Sequence, residues 1–394
     1  MKKHDLSEIL NHLGEERERY FWSVAPPVMQ SSNFSFPDVA TMRTQLLDEF
    51  NYQLYTRGNN PTTDILRKKI AALEETEDAL VLSSGSAAIA SAIMANVQTG
   101  DHIVSVQDPY TWTKKLLNDI LPRFGVKTTY VDGTDHQNFE KALTPDTKVI
   151  YLETPNSFTF ELQDLDKIAT LARTHNLITI ADNSYCSPLF QKPHRFGIDI
   201  VVHSATKYLA GHSDLVAGVI CASSDMIKKI FTNEFMTLGA KLSPQDSWLM
   251  IRGLRTLEIR MERIDKSSRR IVDYVSQHPG IEKVYYPFHP ENPQIELANR
   301  QMTGAGGLFT LALKTSDVEK VEEFCNSLKR FLLAVSWGGY ESLVFPATAG
   351  TEKDSEQNNA LVNFIRFYIG LEDPELLMED IGQALEKIGL NDDR

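Results

Sequence analysis

This chain of 394 residues has few cysteines, no long apolar run and no excess of positive charge. Its 3 cysteines (Cys186, Cys221 and Cys325) lack the spacing of metal ligands or of a disulfide framework, which is typical of reduced thiols in a cytosolic protein. No apolar run approaches the length that a bilayer-spanning helix needs. The formal net charge of −13 argues against nucleic acid or an anionic membrane as a partner, because both attract a positive protein surface.

The remaining composition is that of an ordinary globular protein. Apolar residues form 42% and charged residues 24% of the chain, which indicates neither a disordered nor a membrane-embedded protein. The length allows two or three domains around a large core. The N-terminus is polar and then acidic, unlike a signal peptide, and we therefore expect a cytoplasmic protein.

Apolar strand patterns alternate with helical patterns between residues 60 and 230. The predicted strands are residues 79–82, 101–106, 148–152, 177–181, 198–203 and 216–222, and the predicted helices are residues 64–73, 87–97, 112–124 and 164–174. This alternation predicts an α/β domain around a mostly parallel sheet. In such sheets, ligands bind outside the carboxyl ends of the strands.

The two ends of the chain follow other patterns. Residues 1–60 read as an N-terminal arm with a helical pattern at residues 6–16, and residues 61–245 form the α/β domain. One long helix is predicted over residues 245–277, followed by shorter strand and helix segments. We therefore predict a smaller C-terminal α+β domain at residues 246–394, with the run 350–359 as a surface connection.

The segment 199–214 is the most informative, because an apolar strand there runs into a turn that contains Lys207. Desolvation at the end of a buried strand penalises the charged form of a lysine and lowers its pKa. Such a lysine is a candidate Schiff-base nucleophile. Ser204 and Thr206 flank it with hydroxyls that suit a phosphate group. A solvated lysine in an ordinary strand-to-loop turn is the alternative.

The preceding predicted strand is followed by Asp182. A pyridoxal-phosphate site needs an acid at the pyridine nitrogen, because a protonated ring is a better sink for carbanion electrons. Asp182 and Lys207, each at a strand end, supply both parts. A loop-starting or capping aspartate is the alternative for Asp182 taken alone.

With this pair, the chain resembles the Cys/Met-metabolism, or trans-sulfuration, family of fold-type I pyridoxal-phosphate enzymes. That family includes cystathionine γ-synthase, cystathionine β- and γ-lyases and methionine γ-lyase. The resemblance runs from about residue 25 to about residue 385, with the motifs in the family's order. It implies a fold-type I α/β architecture with a mostly parallel seven-stranded sheet, pyridoxal 5'-phosphate (PLP) as cofactor and a sulfur amino acid as substrate. It also implies a homodimer as the active unit, commonly paired into a homotetramer.

Two motifs resemble the family's phosphate contacts. Ser84, Gly85 and Ser86 form a small-residue turn before a predicted helix, whose N-terminal N–H groups suit a phosphate, although the family usually has Ser-Gly-Met there. Tyr55 and Arg57 match the Tyr-x-Arg part of a motif that continues Asn-Pro-Thr. The resemblance implies that these two residues complete the phosphate site of the neighbouring subunit.

Contacts to the cofactor ring are implied at two further positions. Tyr110 follows a predicted strand, where the family places a tyrosine that stacks on the pyridine ring. The run that begins Glu-Thr-Pro at residue 153 matches the family's start of a motif whose asparagine contacts the ring oxygen. Here the asparagine lies one position earlier, so either Asn156 or Ser157 is expected at that oxygen.

The C-terminal third contains the implied substrate contacts. Ser336 and Trp337 lie in a run that resembles the family's substrate-carboxylate loop. Arg366 lies in a run that resembles its Ile-Arg-Leu-x-Ile-Gly-Leu-Glu-Asp segment, which implies a charge-assisted contact to the α-carboxylate of an amino acid. A surface arginine on an edge strand is the alternative.

The resemblance implies that Lys207 acts as the general base at Cα and that Tyr110, or Tyr55 of the partner subunit, assists proton transfer. The run that contains Ser336 and Trp337 resembles that of bacterial β-lyases, because Val335 stands where γ-class enzymes often have Glu. The Tyr55 motif, in contrast, resembles that of the γ-class enzymes. We favour β-elimination of L-cystathionine to homocysteine, pyruvate and ammonia. γ-Replacement or γ-elimination on homoserine esters, cystathionine or methionine is the alternative; an aminotransferase and a non-catalytic relative remain further ones.

Overall fold

The computed structural model describes residues 4–350 and 361–390, so most of the predicted connection at residues 350–359 lies outside the described residues. The chain divides into two compact units. The first unit comprises Met1–Thr154, Gln163–Ala210 and Asp214–Thr256. The second unit comprises Pro155–Leu162, Gly211–Ser213 and Leu257–Arg394.

The first unit is built on seven strands and the helices that connect them. The strands are β1 Asp78–Leu82, β2 His102–Val106, β3 Lys127–Val131, β4 Thr147–Glu153, β5 Ile178–Asp182, β6 Ile200–Ser204 and β7 Gly218–Ala222. The α-helices are α1 Leu6–Asn11, α2 Val39–Leu46, α3 Pro61–Glu74, α4 Gly85–Met94, α5 Thr111–Lys115, α6 His136–Ala142, α7 Leu165–Thr174, α8 Ser187–Phe190, α9 Ser224–Ile230, α10 Met236–Leu238 and α11 Pro244–Leu254. Shorter helical turns lie at Arg17–Tyr20, Leu116–Ile120, Leu121–Phe124, Pro193–Phe196 and Phe231–Phe235.

The seven strands form one sheet in the order β1-β7-β6-β5-β4-β2-β3. Strand β7 is antiparallel to both β1 and β6, and the other pairings are parallel. The predicted mostly parallel, seven-stranded α/β architecture is therefore confirmed. The sequence pattern missed β3 because this strand lies at the edge of the sheet, where its alternate side chains face solvent and no apolar run marks it.

The core of the first unit lies between this sheet and the helices on its faces. Strands β2, β5 and β7 are almost entirely buried, as expected for strands covered on both faces. Helix α4 packs on one face, where Ala88, Ala92 and Ile93 are fully buried against apolar residues from neighbouring strands. Apolar periodicity therefore located most of these elements correctly.

The predicted single helix over residues 245–277 is wrong: the structure contains two helices, α11 and α12, Leu257–Ser276. The Thr256 backbone N–H donates to the carbonyl oxygen of Gly253 at 3.2 Å, and the Thr256 hydroxyl donates to the same oxygen. A side-chain donor that competes for a backbone carbonyl loosens the regular helical pattern. The apolar spacing continues across this break, so periodicity did not reveal it.

The second unit contains a smaller sheet in the order β10-β11-β12-β9-β8. Its strands are β8 Ile281–Tyr285, β9 Leu308–Leu313, β10 Leu332–Leu333, β11 Leu343–Pro346 and β12 Phe364–Tyr368, and its further helices are α13 Ile295–Gln301, α14 Val318–Ser327 and α15 Pro374–Lys387. Phe309 and Phe367 stack in its core at 5.4 Å. Across residues 4–350 and 361–390, no helix combines the length and the apolar character of a membrane span.

Within the first unit, a buried charge cluster joins the N-terminal residues to helix α3. The Lys69 ammonium is fully buried, lies 3.1 Å from a carboxylate oxygen of Glu15 and donates to the carbonyl oxygens of Ile9 and Leu10. Burial lowers the pKa of Lys69, and the Glu15 carboxylate opposes that shift. Arg255 contacts the same carboxylate at 3.1 Å. These bonds hold the end of α1 against α3.

We predict that Glu15→Gln lowers the free energy of unfolding by about 3–5 kcal/mol, because it leaves the buried Lys69 ammonium without a counter-charge. The matched control is Glu16→Gln, the same change one residue later. The Glu16 carboxylate pairs with the exposed Lys68, so its loss should cost less than about 1 kcal/mol. Urea denaturation measures both values, and equal midpoints for the two variants would contradict this account.

Candidate active site

The carboxyl ends of β4, β5 and β6 lie side by side and bring polar residues to one edge of the sheet. In the strand register, Glu153 pairs with Asp182, and Asp182 pairs with Val202, two residues before Ser204. This edge is where ligands bind in open α/β sheets. The prediction that Asp182 and Lys207 fall at this edge agrees with the positions of β5 and β6.

Asp182 is a buried carboxylate with a fixed set of partners. The Ser184 hydroxyl and the Ser184 backbone N–H donate to its Oδ1 atom at 2.6 and 2.9 Å. Burial raises the pKa of Asp182, and the bonds from Ser184 and the electrostatic interactions with His203 and Lys207 oppose that shift. Ser184 was missed in the sequence, although its position two residues after an aspartate is typical of an Asx turn.

Lys207 lies in the turn after β6 and is half-buried. Its backbone N–H donates to the Ser204 carbonyl at 3.1 Å. The Thr206 hydroxyl and backbone N–H both donate to the carbonyl oxygen of Ala217, which closes the turn. Because the charge of Lys207 lowers the pKa of Asp182, the ammonium and the carboxylate share one electrostatic environment.

The N-terminus of α4 forms a close-fitting cradle beside β6. Ser84 caps the helix, and its hydroxyl accepts from the Ala87 N–H at 3.0 Å. A Cβ atom on Gly85 would lie only 2.8 Å from the Cβ and 2.9 Å from the Cα of Ser204, so that position admits only glycine without a shift of backbone. Ser86 follows within the first turn of the helix. The exposed N–H groups of this turn suit an anion.

Tyr110 lies close to the cradle and to Asp182. Its backbone N–H donates to the Glu153 carboxylate at 2.7 Å, which anchors the residue at the end of β4. Burial raises the pKa of the Tyr110 hydroxyl, a hydrogen bond with Ser86 lowers it, and the charges of Asp182 and Glu153 raise it. These interactions bring Tyr110, Ser86 and Asp182 together, whereas the role of Glu153 was not seen in the sequence.

Tyr55 and Arg57 lie in an anchored loop of the same unit. The Arg57 guanidinium lies 5.2 Å from the centre of the Tyr55 ring, and both side chains are exposed. The Asn59 amide donates to three backbone carbonyls, and Asn60 caps α3. The two asparagines therefore fix the loop, while Tyr55 and Arg57 face outward.

Arg366 lies on β12 in the second unit, beside two aromatic rings that contact each other, with 6.1 Å between their centres. Its guanidinium carbon is 5.4 Å from the ring centre of Phe158 and 5.2 Å from that of Phe345. Its Nη2 atom donates to the Val335 carbonyl at 3.0 Å, one residue before the half-buried Ser336 and Trp337. Burial lowers the pKa of Arg366 to about 10, so it stays positive at neutral pH.

The loop Pro155–Leu162 presents Phe158 to that arginine. The Asn156 amide group donates to the Glu161 carboxylate at 3.1 Å, and its oxygen accepts from the Glu161 N–H at 3.0 Å. Asn156 is buried within this loop, and Ser157 is exposed. The expected contact of Asn156 or Ser157 with the ring oxygen stays a prediction.

The residues of the first unit suit a phosphate-bearing carbonyl cofactor. Gly85 lets the N-terminus of α4 pack directly against Ser204, and Asp182 offers a buried carboxylate whose Oδ1 atom accepts from Ser184. An amine at Lys207 completes this donor set. The chemistry of the set is that required by PLP: an anion site, an acid for the ring and a nucleophilic amine.

Comparisons with known proteins agree with this chemistry. The chain is 40% identical over 396 residues to the L-methionine γ-lyase of Fusobacterium nucleatum subsp. nucleatum, covering 98% of this chain and 100% of that protein. It is 37% identical to the cystathionine γ-lyase of Bacillus subtilis, with 98% and 100% covered. The crystal structure of metB from Corynebacterium glutamicum superposes with a TM-score of 0.91 at 31% identity, with 98% of each chain covered.

A family model described as Cys/Met metabolism PLP-dependent enzyme matches residues 8–386. The resemblance seen in the sequence and the predicted cofactor are both confirmed. The chain belongs to the Cys/Met metabolism family of PLP-dependent enzymes, among the sulfur amino-acid lyases, and its cofactor is pyridoxal 5'-phosphate.

Proposed function

We propose that this protein is a carbon–sulfur lyase that catalyses γ-elimination from a sulfur amino acid such as L-methionine or L-cystathionine. The grouping of Lys207, Asp182 and the cradle at Gly85 in one unit carries the proposal for PLP-dependent lyase chemistry. The names of the two relatives, L-methionine γ-lyase and cystathionine γ-lyase, support the choice of γ-elimination over the β-elimination favoured by the sequence.

The first unit supplies the residues that hold the cofactor. The N–H groups of the turn at Ser84, Gly85 and Ser86, with the Ser204 hydroxyl, would bind its phosphate. The Thr206 hydroxyl would join them by exchanging its hydrogen bond to the Ala217 carbonyl for one to the phosphate. Lys207 would hold the cofactor through its amine, Tyr110 would lie against its ring, and the Asp182 carboxylate would hold a proton at the ring nitrogen. The bound cofactor supplies a sink for the electrons released at Cα.

Proton transfers are assigned to three residues. The Lys207 amine takes the Cα proton as general base, and a leaving group at Cγ then requires a second proton removal, at Cβ. Tyr110, and Tyr55 of the partner subunit, assist these transfers. Tyr55 and Arg57 are exposed on an anchored loop, which supports their proposed contact with the phosphate of a second subunit in a homodimer.

The second unit supplies the contact to the substrate. Arg366 binds the α-carboxylate through its planar fork, a charge-assisted contact that two flanking rings keep in orientation. Ser336 and Trp337 follow Val335, whose carbonyl accepts from the same guanidinium. β-Elimination of L-cystathionine is the second candidate, favoured by Val335, which stands where γ-class enzymes often have Glu.

The keto acid released by the PLP-loaded enzyme tests the reaction. We expect 2-oxobutyrate from L-methionine and from L-cystathionine, because elimination at Cγ leaves a four-carbon keto acid. Pyruvate from L-cystathionine would overturn γ-elimination in favour of β-elimination. Lys207→Ala should abolish either product, whereas Lys229→Ala, a lysine that pairs with Asn96 on the exposed surface, should leave the rate unchanged.

Gly85→Ala should raise the dissociation constant of PLP at least about tenfold, equivalent to about 1.4 kcal/mol. The new methyl group would meet the Cβ and Cα of Ser204 and displace the N-terminus of α4. Titration of the apoenzyme with PLP, followed by absorbance, measures this change. Gly382→Ala is the control, because its Cβ would meet only the hydroxyl end of the Tyr274 side chain. Unchanged affinity for PLP in Gly85→Ala would contradict the assignment of the phosphate to this cradle.

Arg366→Lys should raise KM about tenfold or more while changing kcat less, because lysine keeps the charge but loses the planar fork and the stacking on two rings. Steady-state kinetics with the preferred substrate measures both constants. The control is Arg330→Lys, the same change at an exposed arginine, which should leave both constants as they are. Equal kinetics for the two variants would exclude Arg366 from carboxylate binding.

A further inference from the structure

A second buried carboxylate, Glu74, lies at the last position of α3 and has no exposed surface. Its Oε1 atom contacts His203 Nε2 at 2.5 Å and accepts from the Asn183 amide at 3.0 Å. Its Oε2 atom is buried without a hydrogen-bond partner among the described residues. The mechanism proposed above makes no use of this group.

The geometry favours an ionised Glu74. A protonated acid would carry its hydrogen on Oε2, since Oε1 already accepts from two N–H groups, and that hydrogen would have no acceptor among the described residues. An unpartnered buried donor is costly. The distance of 2.5 Å between Glu74 Oε1 and His203 Nε2 is shorter than that of an ordinary N–H···O hydrogen bond, so the two groups are in direct contact. A buried carboxylate needs a counter-charge, and His203 is a titratable group that touches it.

The pair is held in place by a network that reaches the strand ends of the site. Asn183 follows Asp182 directly, and its amide also donates to the Gln191 carbonyl at 2.9 Å. The Gln191 amide donates to the Thr154 carbonyl at 2.8 Å, just beyond the end of β4. The network around Glu74 therefore reaches Thr154 and Asn183, which directly follow β4 and β5.

His203 and Asp182 lie close together but on opposite faces of the sheet. Asp182 pairs in register with Val202, and successive residues of a strand point to opposite faces, so His203 points away from the cofactor side. The positive charge of His203 nevertheless lowers the pKa of Asp182. The pair thus acts through the sheet and not by direct contact with the cofactor.

Other titratable groups surround the pair. Lys192 lies near Glu74, where its ammonium is 3.6 Å from the Glu75 carboxylate and donates to the Leu73 carbonyl. The thiols of Cys186 and Cys221 are buried nearby, and burial, together with the charge of Glu74, raises the pKa of each. Both thiols are therefore neutral. Lys192 is a second cation near Glu74, since burial lowers its pKa and the charges of Glu74 and Glu75 oppose that shift.

We propose that Glu74 and His203 form a buried ion pair whose imidazolium keeps the Asp182 carboxylate ionised, which makes Glu74 a positioning residue for the acid at the cofactor ring. The proposal rests on the role proposed above for Asp182. Glu74 holds the proton on His203, and His203 provides the positive charge that Asp182 requires when water is excluded. Glu74 touches neither cofactor nor substrate in this scheme.

The protonation state of His203 in the holoenzyme tests the pair directly. In protein labelled with ¹⁵N-histidine, both ring nitrogens of His203 should show the chemical shifts of a protonated imidazolium at neutral pH, with the signal assigned by its loss in His203→Gln. This measurement needs no functional variant at Glu74. A neutral imidazole would overturn the proposal.

The effect on Asp182 is measured by the absorbance of bound PLP as a function of pH, without substrate. In Glu74→Gln, His203 loses its counter-charge and becomes neutral, so the pKa of Asp182 rises. As the pH falls, the variant should therefore lose the wild-type cofactor spectrum at a higher pH than the wild type does. A tenfold weaker stabilisation of the Asp182 carboxylate shifts this transition by about one pH unit.

The control is Ile70→Val, a buried change in the same helix α3 that should lower the melting temperature without moving the pH profile. Identical pH profiles for Glu74→Gln and the wild type would overturn the proposal. Because these experiments use neither substrate nor turnover, they fail independently of the keto acid assay, which tests the reaction itself.

Discussion

The site depends on keeping a carboxylate charged where water is excluded. Burial alone would raise the pKa of Asp182 and neutralise it, so the surrounding structure must supply the opposing interactions. Ser184 donates two hydrogen bonds, Lys207 adds positive charge, and His203 adds it in the ion pair proposed above. The parallel pairing of β4, β5 and β6 places these groups at one edge of the sheet. The strand order therefore determines which groups interact with the Asp182 carboxylate.

Close packing between a helix and the sheet shapes the proposed anion site. Helix α4 approaches β6 so closely that Gly85 has no room for a side chain, and a Cβ on Gly218 would fall 2.1 Å from the Ser84 carbonyl oxygen. Two glycines on different elements thus bring a helix N-terminus against the sheet. This close approach, more than any single hydroxyl, creates the concave surface that suits a phosphate.

The motifs that depart from the family pattern have a structural use. Asn156 closes the loop that carries Phe158, and Phe158 contacts both Phe345 and the Arg366 guanidinium. The aromatic rings replace part of the water that would otherwise solvate the guanidinium, and this burial lowers its pKa to about 10 without removing its charge. A charged fork packed against two rings is a rigid donor of paired hydrogen bonds to a planar carboxylate.

The sequence by itself determined the α/β class through strand and helix periodicity, and the cofactor through the resemblance of its motifs to the family. It also offered Asp182, Lys207 and Gly85 as site residues, because the residue types that follow strands are local signals, and their roles stay predictions. Only the tertiary structure decided the partners: Glu74 contacts His203 across 129 residues of sequence, and Phe158 meets Arg366 from another part of the chain. The edge strand β3 and the break between α11 and α12 were also decided there. Such features depend on which surfaces pack together, and residue types read along one strand or helix do not contain that information.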